Sequence, residues 1–156
     1  QREGRVEIAG VTGIGGVGKT ELAVQYGRRF LSDEYSGGVV WVSGNRAGLD
    51  LVSFARSKFF PTKDFSQFED LKDQVDHCFE FWHPEQKPPE PVLLIFDDVT
   101  DYGTQVQPFL PSDSRFRVVV TTRQKLEGIE RLDLDVLKPL AALRLLVTLV
   151  GRDRVC

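Results

Sequence analysis

Apolar and polar positions alternate along this chain with a period that changes several times, and each change marks an element. Arg5 to Val11 carries Val6, Ile8 and Val11 in a short run ended by Gly13, which predicts a buried strand entering a glycine turn. From Lys19 onward Leu22, Tyr26 and Phe30 recur every fourth residue with Ala23 beside them. That spacing predicts one apolar helix face, ending before Ser36-Gly37-Gly38. Val39 to Val42 reads as a second strand. Leu51, Phe54, Ala55 and Phe59 fit a second helix stopped by Pro61. Phe68, Leu71, Val75, Cys78, Phe79 and Trp82 fit a third, with Ser66-Gln67-Phe68-Glu69 as its capping box.

Pro84 to Pro91 cannot hold helical hydrogen bonds and has no apolar side to bury, so it is expected to be an exposed connector within one domain. The continuous apolar run Val92 to Phe96 behind it has the signature of a central strand buried on both faces. Phe116 to Val120 is another such run, and Leu132 to Val136 a weaker one. Strands alternating with helical patterns predict an α/β fold: a five-stranded, mainly parallel sheet flanked by helices in three layers, α/β/α. Parallel neighbours require crossover connections, and those cover both faces of the sheet.

Composition narrows this picture without changing it. A chain of 156 residues, 41% hydrophobic and 28% charged, can enclose one core of ordinary size. With 20 basic against 23 acidic side chains there is no electrostatic reason to expect binding to DNA or to an acidic membrane, so any anion site must be local. Cys78 and Cys156 lie far apart without metal-ligand spacing, which argues against a disulfide framework or zinc site and for a reducing cytoplasm. No signal peptide opens the chain, and the apolar stretch from Leu140 to Val150 is short for a bilayer span. The absence of methionine, the start at Gln1 and the stop soon after that stretch suggest an excised piece of a longer protein.

The candidate chemistry begins at Gly13-Ile14-Gly15-Gly16-Val17-Gly18-Lys19-Thr20, which matches GxxxxGK[ST] between an expected strand and an expected helix. Glycines let the backbone bend around a phosphate chain with its N–H groups inward, and the helix N-terminus through Glu21 adds a favourable dipole. Lys19 supplies a full positive charge, and Thr20 offers a hydroxyl to Mg²⁺, which prefers oxygen ligands. Val92 to Asp98 reads as a Walker B strand ending in two carboxylates: Asp97 to hold the ion, Asp98 to orient or deprotonate a water near the γ-phosphate. Arg117 to Arg123 is the next strand, and parallel topology would project the Arg123 guanidinium from the same sheet edge. There it could distinguish three phosphates from two.

Together, Gly13 to Ala23, then Leu93-Leu94 with Asp97-Asp98-Val99, then Leu110-Pro111 with Arg117 to Arg123 resemble the NB-ARC branch of the STAND signalling ATPases. That family includes plant resistance proteins, apoptosome scaffolds and many bacterial sensors. The resemblance runs from about Val6 to Leu146, with Val40-Trp41-Val42-Ser43 similar to the strand after the first helix. It implies a P-loop NTPase fold of the ASCE/AAA-like type over residues 1–138, and a following helical segment that begins at residues 139–156, near Pro139-Leu140. It further implies an ADP-bound resting form, an ATP-bound form that self-associates, and slow Mg²⁺-dependent hydrolysis. Adenine contacts and partner surfaces would lie partly in helical and winged-helix subdomains outside this chain, since no GLPL-type loop or winged-helix histidine is present. Adenine is favoured over guanine because no NKxD-like base reader occurs.

Other residues carry less. His77 and His83 lack metal-ligand neighbours at suitable spacing and read as surface or rim residues. Phe59, Phe60, Phe79, Phe81 and Trp82 do not interleave with basic residues and read as core packing. Arg28-Arg29 reads as a charge pair at a helix C-terminus. Two rival functions remain on this scaffold. A small-molecule kinase would need an Arg-rich lid, whereas Arg115, Arg117 and Arg123 are spread through a strand. A degenerate domain would bind nucleotide only for structure.

Overall fold

A computed structural model describes residues 6–59, 64–82, 90–134 and 138–150. Strand β1 (Glu7–Thr12) leads through the glycine loop into helix α1 (Lys19–Phe30), and β2 (Val39–Ser43) follows. A 3-10 turn (Gly44–Arg46) then opens α2 (Ala47–Lys58), and α3 (Leu71–Glu80) precedes β3 (Val92–Val99). After β3 come a one-turn helix α4 (Tyr102–Gln105) and a second 3-10 turn (Gln107–Phe109). The chain closes with β4 (Phe116–Thr122), β5 (Glu130–Asp133) and α5 (Pro139–Val150).

The sheet has five strands in the order β2-β3-β4-β1-β5, and all its pairings are parallel. Side-chain alternation then divides the core in two. Val40, Val42, Leu94, Phe96, Val118 and Val120 point to one face, where α2 and α3 bring Leu51, Ala55, Val75 and Cys78. Val11, Leu93, Ile95, Val119 and Leu132 point to the other, under Leu22, Ala23 and Tyr26 of α1 and Ala142 and Leu146 of α5. This is the three-layer arrangement expected from the sequence, and it explains why β3 reads as an unbroken apolar run: both its faces are covered. Helix α1 approaches the sheet closely at Gly27, where a Cβ would lie 3.1 Å from Val39 Cγ1. On the same face the Tyr26 and Tyr35 hydroxyls are 2.8 Å apart, and burial, with the Tyr26 hydroxyl beside it, pushes the Tyr35 phenol well above its ordinary range.

Three expectations need correction. The third helix starts at Leu71, and its N-cap is Asp70, whose carboxylate accepts from Asp73 N at 2.8 Å. The expected capping box at Ser66 does not form, because the Ser66 hydroxyl donates to Asp64 instead, at 2.8 Å. Asp70→Ala should therefore lower stability by about 1 kcal/mol, whereas Ser66→Ala should change it by less than about 0.5 kcal/mol. Urea midpoints of the two variants check this, and a larger loss in Ser66→Ala would contradict it. The last strand begins earlier than its apolar run suggests, at Glu130: pairing with β1 registers Ala9 to Glu130 and Thr12 to Asp133, so β1 sets the span. Phe81 is 46% exposed and is not core.

The other aromatics pack as expected. Trp82 stacks on Phe54 at 5.3 Å between centroids and meets Phe79 and Phe59, while His77 lies at the rim among Phe65, Phe68 and Phe81. Arg28 and Arg29 occupy the last turn of α1. Phe60, His83, Cys156, Val136 and most of the Pro84 to Pro91 connector lie outside the described residues.

Candidate functional site

The C-terminal ends of β1, β3 and β4 bring the phosphate-site candidates together. Between β1 and α1 the loop turns through Gly16 (φ 80°) and Gly18 (φ 99°), left-handed conformations that a side chain would disfavour. Gly18 is also the N-cap of α1 and offers no capping side chain, so the helix's first N–H groups remain available to an anion. Val17 packs against the α1 side of the core and anchors the loop. Lys19 is buried, and its ammonium donates to Gly13 O at 2.8 Å and Ile14 O at 2.7 Å. The loop thus curls around its own cation. Glu21 faces solvent and accepts from Gln25 Nε2 at 3.1 Å, so its side chain is turned away from the loop.

Strand β3 ends in an irregularity with consequences for both acids. Phe96 pairs with Val120 and Val99 with Thr122, so Asp97 and Asp98 together oppose the single residue Thr121, the arrangement of a β-bulge. Asp98 takes φ 55°, uncommon for any residue but glycine and most tolerated by Asn and Asp. The bulge turns the two carboxylates apart: Asp98 is exposed, whereas Asp97 is half-buried and its Oδ1 accepts from Thr20 Oγ1 at 2.9 Å and Thr121 Oγ1 at 2.6 Å.

These residues fit a magnesium ion. Oxygens coordinating Mg²⁺ at about 2.0–2.1 Å in adjacent octahedral positions lie about 2.9 Å apart, and the Thr20 hydroxyl and Asp97 carboxylate are separated by that distance. Both are hard oxygen donors. No cluster of three or more His, Cys, Asp or Glu suited to a metal occurs among the described residues, so a metal here would need phosphate and water to complete its shell.

Arg123 follows the last residue of β4 and reaches across to the glycine loop. A Cβ built on Gly15 would lie 2.8 Å from Arg123 Cζ, and closer still to Nη2. The guanidinium therefore lies against Gly15, where an added side chain would oblige the exposed Arg123 to shift. Two other residues shape the site: Thr121, which belongs to the Thr121-Thr122-Arg123 part of the family resemblance, and Gln105, which carries no evident sequence signal. Thr121, buried, accepts from Asp98 N at 2.8 Å. Gln105 Oε1 accepts from Thr100 N at 2.8 Å and Asp101 N at 3.2 Å, bracing the segment after the acids. A cavity of about 510 Å³ near Val6, Ile8, Ile129 and Leu149 includes none of these residues.

A glycine loop at a helix N-terminus, a buried lysine and a strand-end acid bonded to the loop threonine define a P-loop nucleotide-binding domain. The model of the NB-ARC domain family matches residues 1–155, and the chain belongs to that family of STAND-type P-loop ATPase domains. It is 32% identical to the regulatory protein AfsR of Streptomyces griseus over 95% of its own length and 15% of that protein's. To the regulatory protein AfsR of Streptomyces coelicolor it is 32% identical over 97% of its length and 16% of the relative's. The chain thus spans only a small part of the curated relatives it matches. No helix among the described residues is long and apolar enough to cross a membrane.

Proposed function

We propose that this domain is the ATP/ADP-operated part of a cytoplasmic signalling switch, resting with ADP and, with ATP, promoting self-association. Gly13, Gly15, Gly16, Val17, Gly18 and Glu21 contribute backbone to the phosphate cradle, and Lys19 contributes the charge. Thr20 and Asp97 hold Mg²⁺, which neutralises phosphate charge when bound. Asp98, exposed beside them, positions water for slow hydrolysis, and Arg123 senses the γ-phosphate. Residues 139–156 lead towards helical and winged-helix subdomains, and α5, packed against β1, β5 and α1, couples them to the sheet.

The observation that carries this reading is the Arg123 guanidinium resting on Gly15: a cation from a separate strand reaches the phosphate loop. Differential contact with two nucleotides is what a switch requires. The names of the two relatives, both regulatory proteins, point the same way.

The test is γ-phosphate release measured beside nucleotide retained, in wild type and two variants. Wild type should retain nucleotide with little turnover. Asp97→Ala should weaken Mg²⁺-dependent binding, whereas Asp98→Ala should bind normally and hydrolyse about tenfold more slowly or worse. Fast multiple turnover by the wild type would point to a motor or kinase instead. Equal binding loss in both variants would contradict the division of labour.

A further inference from the structure

We infer that Thr121 is a positioning residue that sets both acids of the site at once, and that its hydroxyl, not its place in the strand, is what the Mg²⁺-dependent part of nucleotide binding requires. The inference rests on the reading of Asp97 as the metal carboxylate.

The bulge at Asp97 and Asp98 breaks the β3–β4 ladder, because two residues face one. An extra residue in a bulge loses its ladder partner, and a buried or half-buried N–H without an acceptor is costly. Here the Asp98 N–H is taken by a side chain: it donates to Thr121 Oγ1 at 2.8 Å. The hydroxyl has one proton, and its direction is settled by its neighbours. A backbone N–H can only donate and a carboxylate oxygen can only accept, so Thr121 accepts from Asp98 and donates to Asp97 Oδ1, at 2.6 Å.

This fixes two things with one group. Asp97 Oδ1 receives hydroxyl protons from Thr20 in the loop and Thr121 in β4, which pins the carboxylate between the two elements. Asp98 is held in its left-handed conformation at φ 55° by the bond to its own N–H, which keeps its carboxylate turned outward. Thr121 is 1% exposed, so water cannot readily replace it. The adjacent Thr122 serves the strand instead, since its hydroxyl donates to Val99 O at 2.6 Å and closes the ladder beyond the bulge. The two hydrogen bonds of the Thr121 hydroxyl go to the two acids of β3, so it acts through them. Groups that orient a metal ligand characteristically change metal affinity by about 10–100-fold when removed.

Thr121→Val keeps the shape and removes both hydrogen bonds; Thr121→Ser keeps the hydroxyl. ADP affinity is measured for each by titration calorimetry with excess Mg²⁺ and with EDTA. The expected result is a Mg²⁺-dependent gain in wild type that falls about tenfold in Thr121→Val, EDTA affinity unchanged within about twofold, and recovery in Thr121→Ser. A loss that is equal with and without Mg²⁺ would mean a merely structural role and would overturn the inference. So would an undiminished gain in Thr121→Val. If wild type binds ADP but shows no Mg²⁺-dependent gain, the metal-site reading itself falls, and the inference with it. Should Thr121→Val fail to fold, amide hydrogen exchange in the wild type decides: a protected Asp98 N–H supports the bond to Thr121, and exchange at open-loop rates overturns it.

Discussion

Lys19→Ala is expected to weaken ATP and ADP alike, by at least about tenfold, or about 1.4 kcal/mol. The ammonium is the sole full cation within the Gly13–Thr20 loop, and it is held by Gly13 O and Ile14 O. Phosphates bound inside the loop would meet that charge in partly desolvated surroundings, where a charge-assisted hydrogen bond exceeds a neutral one roughly twofold. Alanine also leaves two loop carbonyls without their donor, which loosens the curl that aims the N–H groups inward. Both nucleotides share the phosphates concerned, so both affinities should fall together. Titration calorimetry with each nucleotide, on a variant whose circular dichroism matches wild type, measures the effect. Unchanged affinity would remove the phosphate-site assignment.

Arg123→Ala should instead separate the two nucleotides. The guanidinium reaches the loop from the end of β4 and rests on Gly15. In that position it can meet a terminal phosphate that ADP lacks. The cost to ATP should be about 1–3 kcal/mol, the range for hydrogen bonds to charged groups, with ADP binding changed by less than about 0.5 kcal/mol. On the proposed reading the appropriate protein is a longer one that includes the helical subdomain proposed to follow, whose rotation would close the site over Arg123. An ATP-to-ADP affinity ratio unaltered by the substitution would assign γ-phosphate sensing to another residue. In the full-length protein the same variant should assemble poorly with ATP, as seen by light scattering.

The parts of this site that can be read from sequence are those written in local patterns. Glycine spacing before Lys19-Thr20 is set by backbone geometry within one turn, and the run Val92 to Phe96 by burial on both faces, so both are legible. Strand order is not. Nothing in the composition of β1 says that it lies between β4 and β5, because each apolar run fits any interior position. Thr121-Thr122-Arg123 is legible as part of the family resemblance, but the role of the Thr121 hydroxyl is not: only the two-against-one register with Asp97 and Asp98 makes its side chain an acceptor for a bulge N–H. Gln105 is concealed for a related reason, since it braces Thr100 and Asp101 from a single helical turn too short to show periodicity. The cap of α3 is ambiguous in the same way. Ser66 and Asp70 both suit an N-cap, and the choice is made by where α3 can lay Leu71, Val75 and Cys78 against the sheet and α2.

The central claim is that the loop from Gly13 to Thr20 binds an adenine nucleotide with magnesium. It is tested most directly by acid-extracting the wild-type protein, purified without added nucleotide, and by titrating the emptied protein with ADP and Mg²⁺. The expected result is ADP in the extract, or saturable one-to-one binding on its return, with GDP bound more weakly. A protein that carries no nucleotide and shows no heat of binding for ADP or ATP would contradict it.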